Sequence, residues 1–285
     1  MEYMTHPILT KNNITMSKIK IGCETYTWAM SGEKYKNKLD HIIEVTSKAG
    51  FKGIEPDTGF MNGFTNPKVF KETLDKNNIE LSVLCHVEDW RNPKETDAEK
   101  RNADQWIEFM KHFPEAILLL VQMPGQDREH LKERQHNLLT CVNEIATRAA
   151  GEGVICSYHP NSPMGSIYRT EEDYKILLNG LDSNVIKYTP DVGHMAKGGM
   201  DPLPIIKQYR ELVNCVHYKD MYDNGKWAAM GDGVIDFKGI TSYLKETDFE
   251  GWIIVEDECD AAITDPDGIT FQDGIYIEEV LRPLI

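Results

Sequence analysis

The stretch KIKIGCETYTWAMSG, residues 18–32, decides the fold. Its first half, KIKIGCE (18–24), is a short β-branched and apolar run that reads as a strand. A doubly wound nucleotide-binding sheet usually follows its first strand with a glycine-rich phosphate loop. Here the strand runs instead into ETYTWAMSG, so that signature is absent. Working outward, the same kind of run recurs at GIEP (53–56), ELSVLCH (80–86), AILLLVQ (116–122), VICSYH (154–159), IKYTPD (186–191), VNCVHYK (213–219) and WIIVEDE (252–258). Longer amphipathic segments lie between them, near 35–49, 67–77, 97–112, 127–151, 171–180, 202–211, 237–246 and 270–282. In 127–151 the apolar residues Leu131, Leu138, Leu139, Val142, Ile145 and Ala146 recur at helical spacing. Eight strand–helix repeats predict an α/β fold, a single (β/α)8 barrel over residues 18–285 preceded by a loose N-terminal tail over 1–17.

Composition narrows the function. The 285 residues are 41% hydrophobic, enough for a real core. The longest apolar run, near 116–121, is too short for a membrane span, and the first residues carry no signal-peptide pattern. The formal charge of −15, with no Lys/Arg cluster, argues against nucleic acid and anionic membrane surfaces as partners. Six cysteines (23, 85, 141, 156, 215, 259) show no paired spacing. Buried free thiols in a reducing, cytoplasmic setting are expected.

A barrel of this kind gathers its active site at the C-terminal ends of its strands. The polar residues there are Glu24, Glu55, His86, Gln122, Ser157 with His159, Asp191, His217 with Lys219, and Glu256 with Glu258. Asp191, His217 and Glu256 fall on three consecutive late strands. One imidazole and two carboxylates make a mixed N/O set suited to Mn²⁺, Co²⁺, Mg²⁺ or Zn²⁺ with open positions for substrate. Each residue has a plainer reading as well. Asp191 could cap a helix, His217 could be a core histidine, and Glu256 could be a solvated strand end. Lys219 could pair with Glu258 or polarise a carbonyl. His86 and His194 are candidates for substrate contact, and the Trp28 ring for stacking on a sugar face.

The ordered pieces DVGHMAKGGMDP, VNCVHYKD, MGDGVIDF and GWIIVEDE resemble the sugar phosphate isomerase/epimerase family of xylose isomerase-like TIM barrels. In motifs they are closest to the inosose dehydratases. The likeness is strongest from about 150 to 258. It implies a divalent metal, Mn²⁺ or Co²⁺ foremost, held by Asp191, His217 and Glu256 with one ligand from strand five. Relatives end that strand with a glutamate, which here falls on Ser157 in SYHPN (157–161). His159 or Asn161 then stands open as the fourth ligand, with Glu55 and Glu172 more remote.

The serine has chemical content. A 3-epimerase works with two metal-bound glutamates, and Ser157 cannot serve as one at neutral pH. A dehydratase needs one base, a stabilised enolate and one acid. The expected activity is therefore a metal-dependent lyase on a keto-sugar or keto-cyclitol, such as an inosose or a 3-keto-glycoside. His159 is the expected base, Lys219 a candidate acid, and Glu256 a catalytic metal ligand. Substrate contacts are expected from His86, His194, Lys219, Glu258 and Trp28. The alternatives are a sugar isomerase or epimerase using the same metal chemistry, and a non-enzymatic sugar-binding barrel. The expected partner is a small sugar or cyclitol, with a homo-oligomer left open.

Overall fold

The computed structural model describes residues 18–285, so the tail expected over 1–17 lies outside the described residues. Eight strands form the barrel: β1 Ile19–Glu24, β2 Gly53–Glu55, β3 Val83–Glu88, β4 Ile117–Gln122, β5 Ile155–His159, β6 Ile186–Tyr188, β7 Cys215–Tyr218 and β8 Gly251–Val255. β1 pairs in parallel with both β2 and β8, and β8 pairs with β7. β3 to β6 pair in sequence order. Between β2 and β3 the seam is closed by a short parallel ladder of Gly53–Ile54 with Glu80–Leu81, just before β3, and by a bridge from Asp57 to Cys85; between β6 and β7 it is closed by bridges from Tyr188 to Val213 and from Asp191 to His217.

Eight principal helices pack outside: α1 Leu39–Lys48, α2 Pro67–Asn77, α3 Asp97–Met110, α4 Leu131–Gly151, α5 Glu171–Gly180, α6 Pro202–Gln208, α7 Phe237–Glu246 and α8 Pro266–Tyr276. Their starts are chemically marked. Thr96 and Glu99 form a reciprocal capping box at α3, as Thr170 and Asp173 do at α5. Asn66 and Asp201 cap helices that open on proline, where a missing N–H costs nothing. Along α4 the buried residues Leu138, Cys141, Val142, Ile145 and Ala149 hold one face to the barrel. This helix starts four residues later than its periodicity suggests, after His130 in a left-handed conformation.

Strand parity sorts the core into two. Val83, Cys85, Ile117, Leu119, Cys215, Trp252 and Ile254 fill the barrel interior. Residues of opposite parity, such as Ile21, Leu84, Leu118, Tyr158 and Val216, pack beneath the helices. Two glycines make room at the floor. A Cβ on Gly53 would lie 2.5 Å from the Trp252 ring, and one on Gly22 would lie 2.8 Å from Ile254 Cδ1. The mouth is modified by two short pieces that sequence periodicity does not announce. These are a helical turn, Val192–Lys197, and a hairpin of Asp220–Met221 with Trp227–Ala228. All six cysteines are buried and unpaired. No helix among the described residues is long and apolar enough to cross a membrane.

Parity also overturns the expected substrate role of His86. Its neighbours Cys85 and Val87 face the barrel interior, so His86 points outward and meets Trp90 edge-on at 6.0 Å. Neither ring nitrogen has a hydrogen-bond partner among the described residues, and burial pulls its pKa down to about 4. The unfolded chain therefore binds the extra proton between about pH 6.5 and 4, and stability must fall as pH drops through that window. The difference amounts to roughly 3 kcal/mol for a shift of that size. Urea denaturation of His86→Leu is expected to show a flatter fall in stability from pH 6.5 to 4 than the parent. An unchanged slope would remove His86 as its cause.

Candidate active site

The strand ends open into a cavity of about 620 Å³ at the C-terminal mouth of the barrel. Its floor is a buried ionic cluster. Asp191, His159, His217 and Glu256 each offer a ligand atom within 4.8 Å of the others, and all four are buried. Three expected metal ligands and one of the two proposed fourth ligands thus come together.

Each is placed by its element. Asp191 follows β6 and caps the turn Val192–Lys197, its Oδ1 accepting from the His194 N–H at 2.6 Å. The cap and the cluster are functions of one side chain, because Oδ2 faces His159 Nε2 at 3.5 Å. Burial opposes the charge of Asp191, but the Lys219 ammonium outweighs it and holds the carboxyl well below the usual range. His217 and Lys219 share the inward parity of β7. The His217 Nε2 lies 3.0 Å from Glu55 Oε2, while Nδ1 lies 3.4 Å from Glu24 Oε2 and 3.6 Å from Glu256 Oε2. Burial disfavours a proton on His217, yet the Glu55 charge and neighbouring acceptors raise its pKa well above normal. Glu256 continues the β8 ladder through its N–H to the Tyr218 carbonyl.

Lys219 is the cation of the cluster. It is fully buried, 2.7 Å from Glu256 Oε1 and 3.5 Å from Asp191 Oδ2, and it also donates to Glu258. Burial would strip its proton, but these three carboxylates raise its pKa instead. Its Nζ lies 3.1 Å from His194 Nε2. An ammonium only donates, so His194 Nε2 accepts and its Nδ1–H faces the Ser162 hydroxyl at 2.7 Å. Burial and the Lys219 charge lower His194 to about 3, which keeps the ring neutral. Glu258 lines the cavity, and burial raises it to about 7, with Lys219 opposing and Glu256 adding.

The residues of SYHPN divide their roles. Ser157 is buried with its hydroxyl 2.7 Å from that of Thr189. Asn161 is committed at both ends, donating to the Gln122 carbonyl at 2.8 Å and accepting from Ser166. His159 has no hydrogen-bond partner on either ring nitrogen among the described residues. Asp191 Oδ2, His217 Nδ1 and Glu24 Oε2 are likewise buried and without a hydrogen bond among them. Orphaned donors of this kind, in a mixed imidazole–carboxylate set, are what a divalent cation satisfies.

Other expectations move. Trp28 does not reach the cavity. It is wholly buried, and its indole N–H donates to Asp267 Oδ1 at 2.6 Å. The segment after β1 is a helical turn, so residues two apart face opposite sides, and Tyr26 takes the cavity position. Glu172 lies exposed in the first turn of α5. The Asp220 carboxylate holds the GDG loop (231–233) in place, accepting from the N–H groups of Gly231, Gly233 and Ile235 as well as Met221. Sequence reasoning assigned no role to Tyr26, Lys197 or Trp227, all of which line the cavity. Lys197 lies 4.4 Å from the Trp227 ring, on the hairpin. Glu24 is visible in the sequence only as a strand end, and Glu55 as a strand end and a remote alternative ligand.

Comparison with known proteins agrees with this architecture. Inosose dehydratase of Clostridium botulinum (strain Alaska E43 / Type E3) is 25% identical over 295 residues, covering 92% of this chain and 97% of its own. The crystal structure of IolI protein with a binding zinc atom superposes with a TM-score of 0.73 at 17% identity, covering 93% of this chain and 99% of its own. The probable 3-DHS dehydratase AsbF from Bacillus anthracis, involved in petrobactin synthesis, gives 0.71 at 15% identity, covering 93% and 100%. A family profile described as xylose isomerase-like TIM barrel matches residues 43–277, and the chain belongs to that family.

Proposed function

We propose that this protein is a divalent-metal-dependent dehydratase acting on a keto-cyclitol or keto-sugar of the inosose kind. The observation that carries this reading is the fifth strand. Where a two-glutamate epimerase needs a second acid–base carboxylate, Ser157 offers a hydroxyl held by Thr189. The four-donor cluster beside it and the near full-length likeness to inosose dehydratases support the same conclusion.

Asp191, His217, Glu256 and His159 would hold the cation, with Mn²⁺ or Co²⁺ suited to that donor set. Bound there, it would supply Lewis acidity to the ketone of the substrate. The remaining work falls to side chains. Glu258 is a cavity carboxylate outside the four-donor cluster, beside its Glu256, and is placed to take the proton next to the ketone. Lys219, charged and aimed between Glu256 and Glu258, is placed to protonate the departing hydroxyl. His194, neutral and fixed by Ser162 and Lys219, borders the substrate space. The cavity lining carries Glu24, Glu55, Asp57, Glu256 and Glu258 against Lys197, with Lys219 fully buried behind Glu256 and Glu258. That balance favours a neutral polyol over a phosphorylated sugar. Six buried thiols suit a reducing cytoplasm.

Incubation with inosose and other keto-polyols is expected to give an enone absorbance, lost on chelation and restored by Mn²⁺ or Co²⁺. Deuterium exchange at the carbon next to the carbonyl without loss of water would instead identify an isomerase or epimerase. His159→Asn separates two roles. Loss of bound metal together with activity is expected for a ligand. Full metal occupancy with activity reduced by about 10²–10⁴ would make His159 the base.

A further inference from the structure

Glu55 ends β2 beside Glu24 on β1, and both carboxylates face inward. Glu55 is completely buried. A charge so placed is costly unless it is paired. Among the described residues its side chain has one hydrogen-bond partner, His217 Nε2 at 3.0 Å, and its Oε1 has none. A carboxylate accepts, so this contact puts the imidazole proton on Nε2. Histidine ligates through a deprotonated nitrogen, so a cation in the cluster would take the place of any second proton and meet the lone pair of Nδ1.

The distances around Nδ1 are of a different kind. It lies 3.4 Å from Glu24 Oε2 and 3.6 Å from Glu256 Oε2, and it makes no hydrogen bond among the described residues. Donors bound tetrahedrally at about 2.1 Å from one metal stand roughly 3.4 Å apart. The separation of Nδ1 from the Glu256 oxygen therefore has the spacing of two ligands on one metal, whereas the Nε2 contact has the spacing of a hydrogen bond.

We infer that Glu55 is a positioning residue of the metal centre, holding His217 as the Nε2–H tautomer so that Nδ1 is the ligating atom. The inference rests on the metal centre proposed above. It gives the second strand a part in a site otherwise built by strands five to eight. Metal-ligating histidines depend on such partners for ring orientation and basicity.

The test uses the full chain and Zn²⁺ alone. Long-range ¹H–¹⁵N spectra of the histidine-labelled, Zn²⁺-loaded parent are expected to show His217 protonated at Nε2 and coordinated at Nδ1. Coordination through Nε2 would overturn the inference without any mutation. Competition titration of Glu55→Leu is expected to show Zn²⁺ affinity reduced about 10- to 100-fold. Glu55→Gln, whose amide oxygen still accepts from Nε2–H, should recover part of that loss. Parental affinity in Glu55→Leu, with circular dichroism unchanged, would reject Glu55 while leaving the metal centre standing. A parent that takes up no Zn²⁺ would reject both. If Glu55→Leu does not fold, the spectrum of the parent decides.

Discussion

A fully buried lysine allows this barrel to hold its acids. Lys219 meets Asp191, Glu256 and Glu258 from the end of β7. His217, two residues earlier and of the same parity, turns one ring nitrogen to Glu24 and the other to Glu55. Asp191 and Glu256 are thereby kept ionised although both are buried. Without cations, burial would neutralise them by drawing in protons. A carboxylic acid is a poor ligand, so the lysine also preserves the donor set of the proposed metal centre.

The barrel supplies the geometry for that balance. Parallel strands pointing the same way bring unrelated segments of chain to one rim. Period-two alternation then decides which side chains enter. The floor below is sealed by Trp252 and Ile254 over the bare backbones of Gly53 and Gly22. Apolar packing beneath and ion pairing above are separated by a single layer of residues. Ser157 and Thr189 belong to that boundary, satisfying one another where neither water nor charge is available.

Much of this was legible in the sequence. Asp191, His217 and Glu256 stand at the ends of late strands whose neighbours leave little doubt about parity. His86 and Trp28 show where such reading fails. In ELSVLCH both faces of the strand are apolar, because a parallel strand is buried on both sides, and alternation cannot say which face is interior. In TYTWA the chain leaves the strand for a helical turn, so the rule of two no longer applies. Tyr26, Lys197 and Trp227 reach the cavity from loops and short turns, where position depends on contacts far away in sequence. The divided role of Asp191 could not be settled from the chain alone, since a helix cap and a ligand leave the same signature.

That divided role has a consequence for denticity. One oxygen of Asp191 is held by the N–H of His194, and one oxygen of Glu256 is held by Lys219. Each carboxylate would therefore bring its full negative charge to a cation through a single donor atom. A cation so held would gain charge faster than coordination number, which would leave positions open for the oxygens of the proposed substrate.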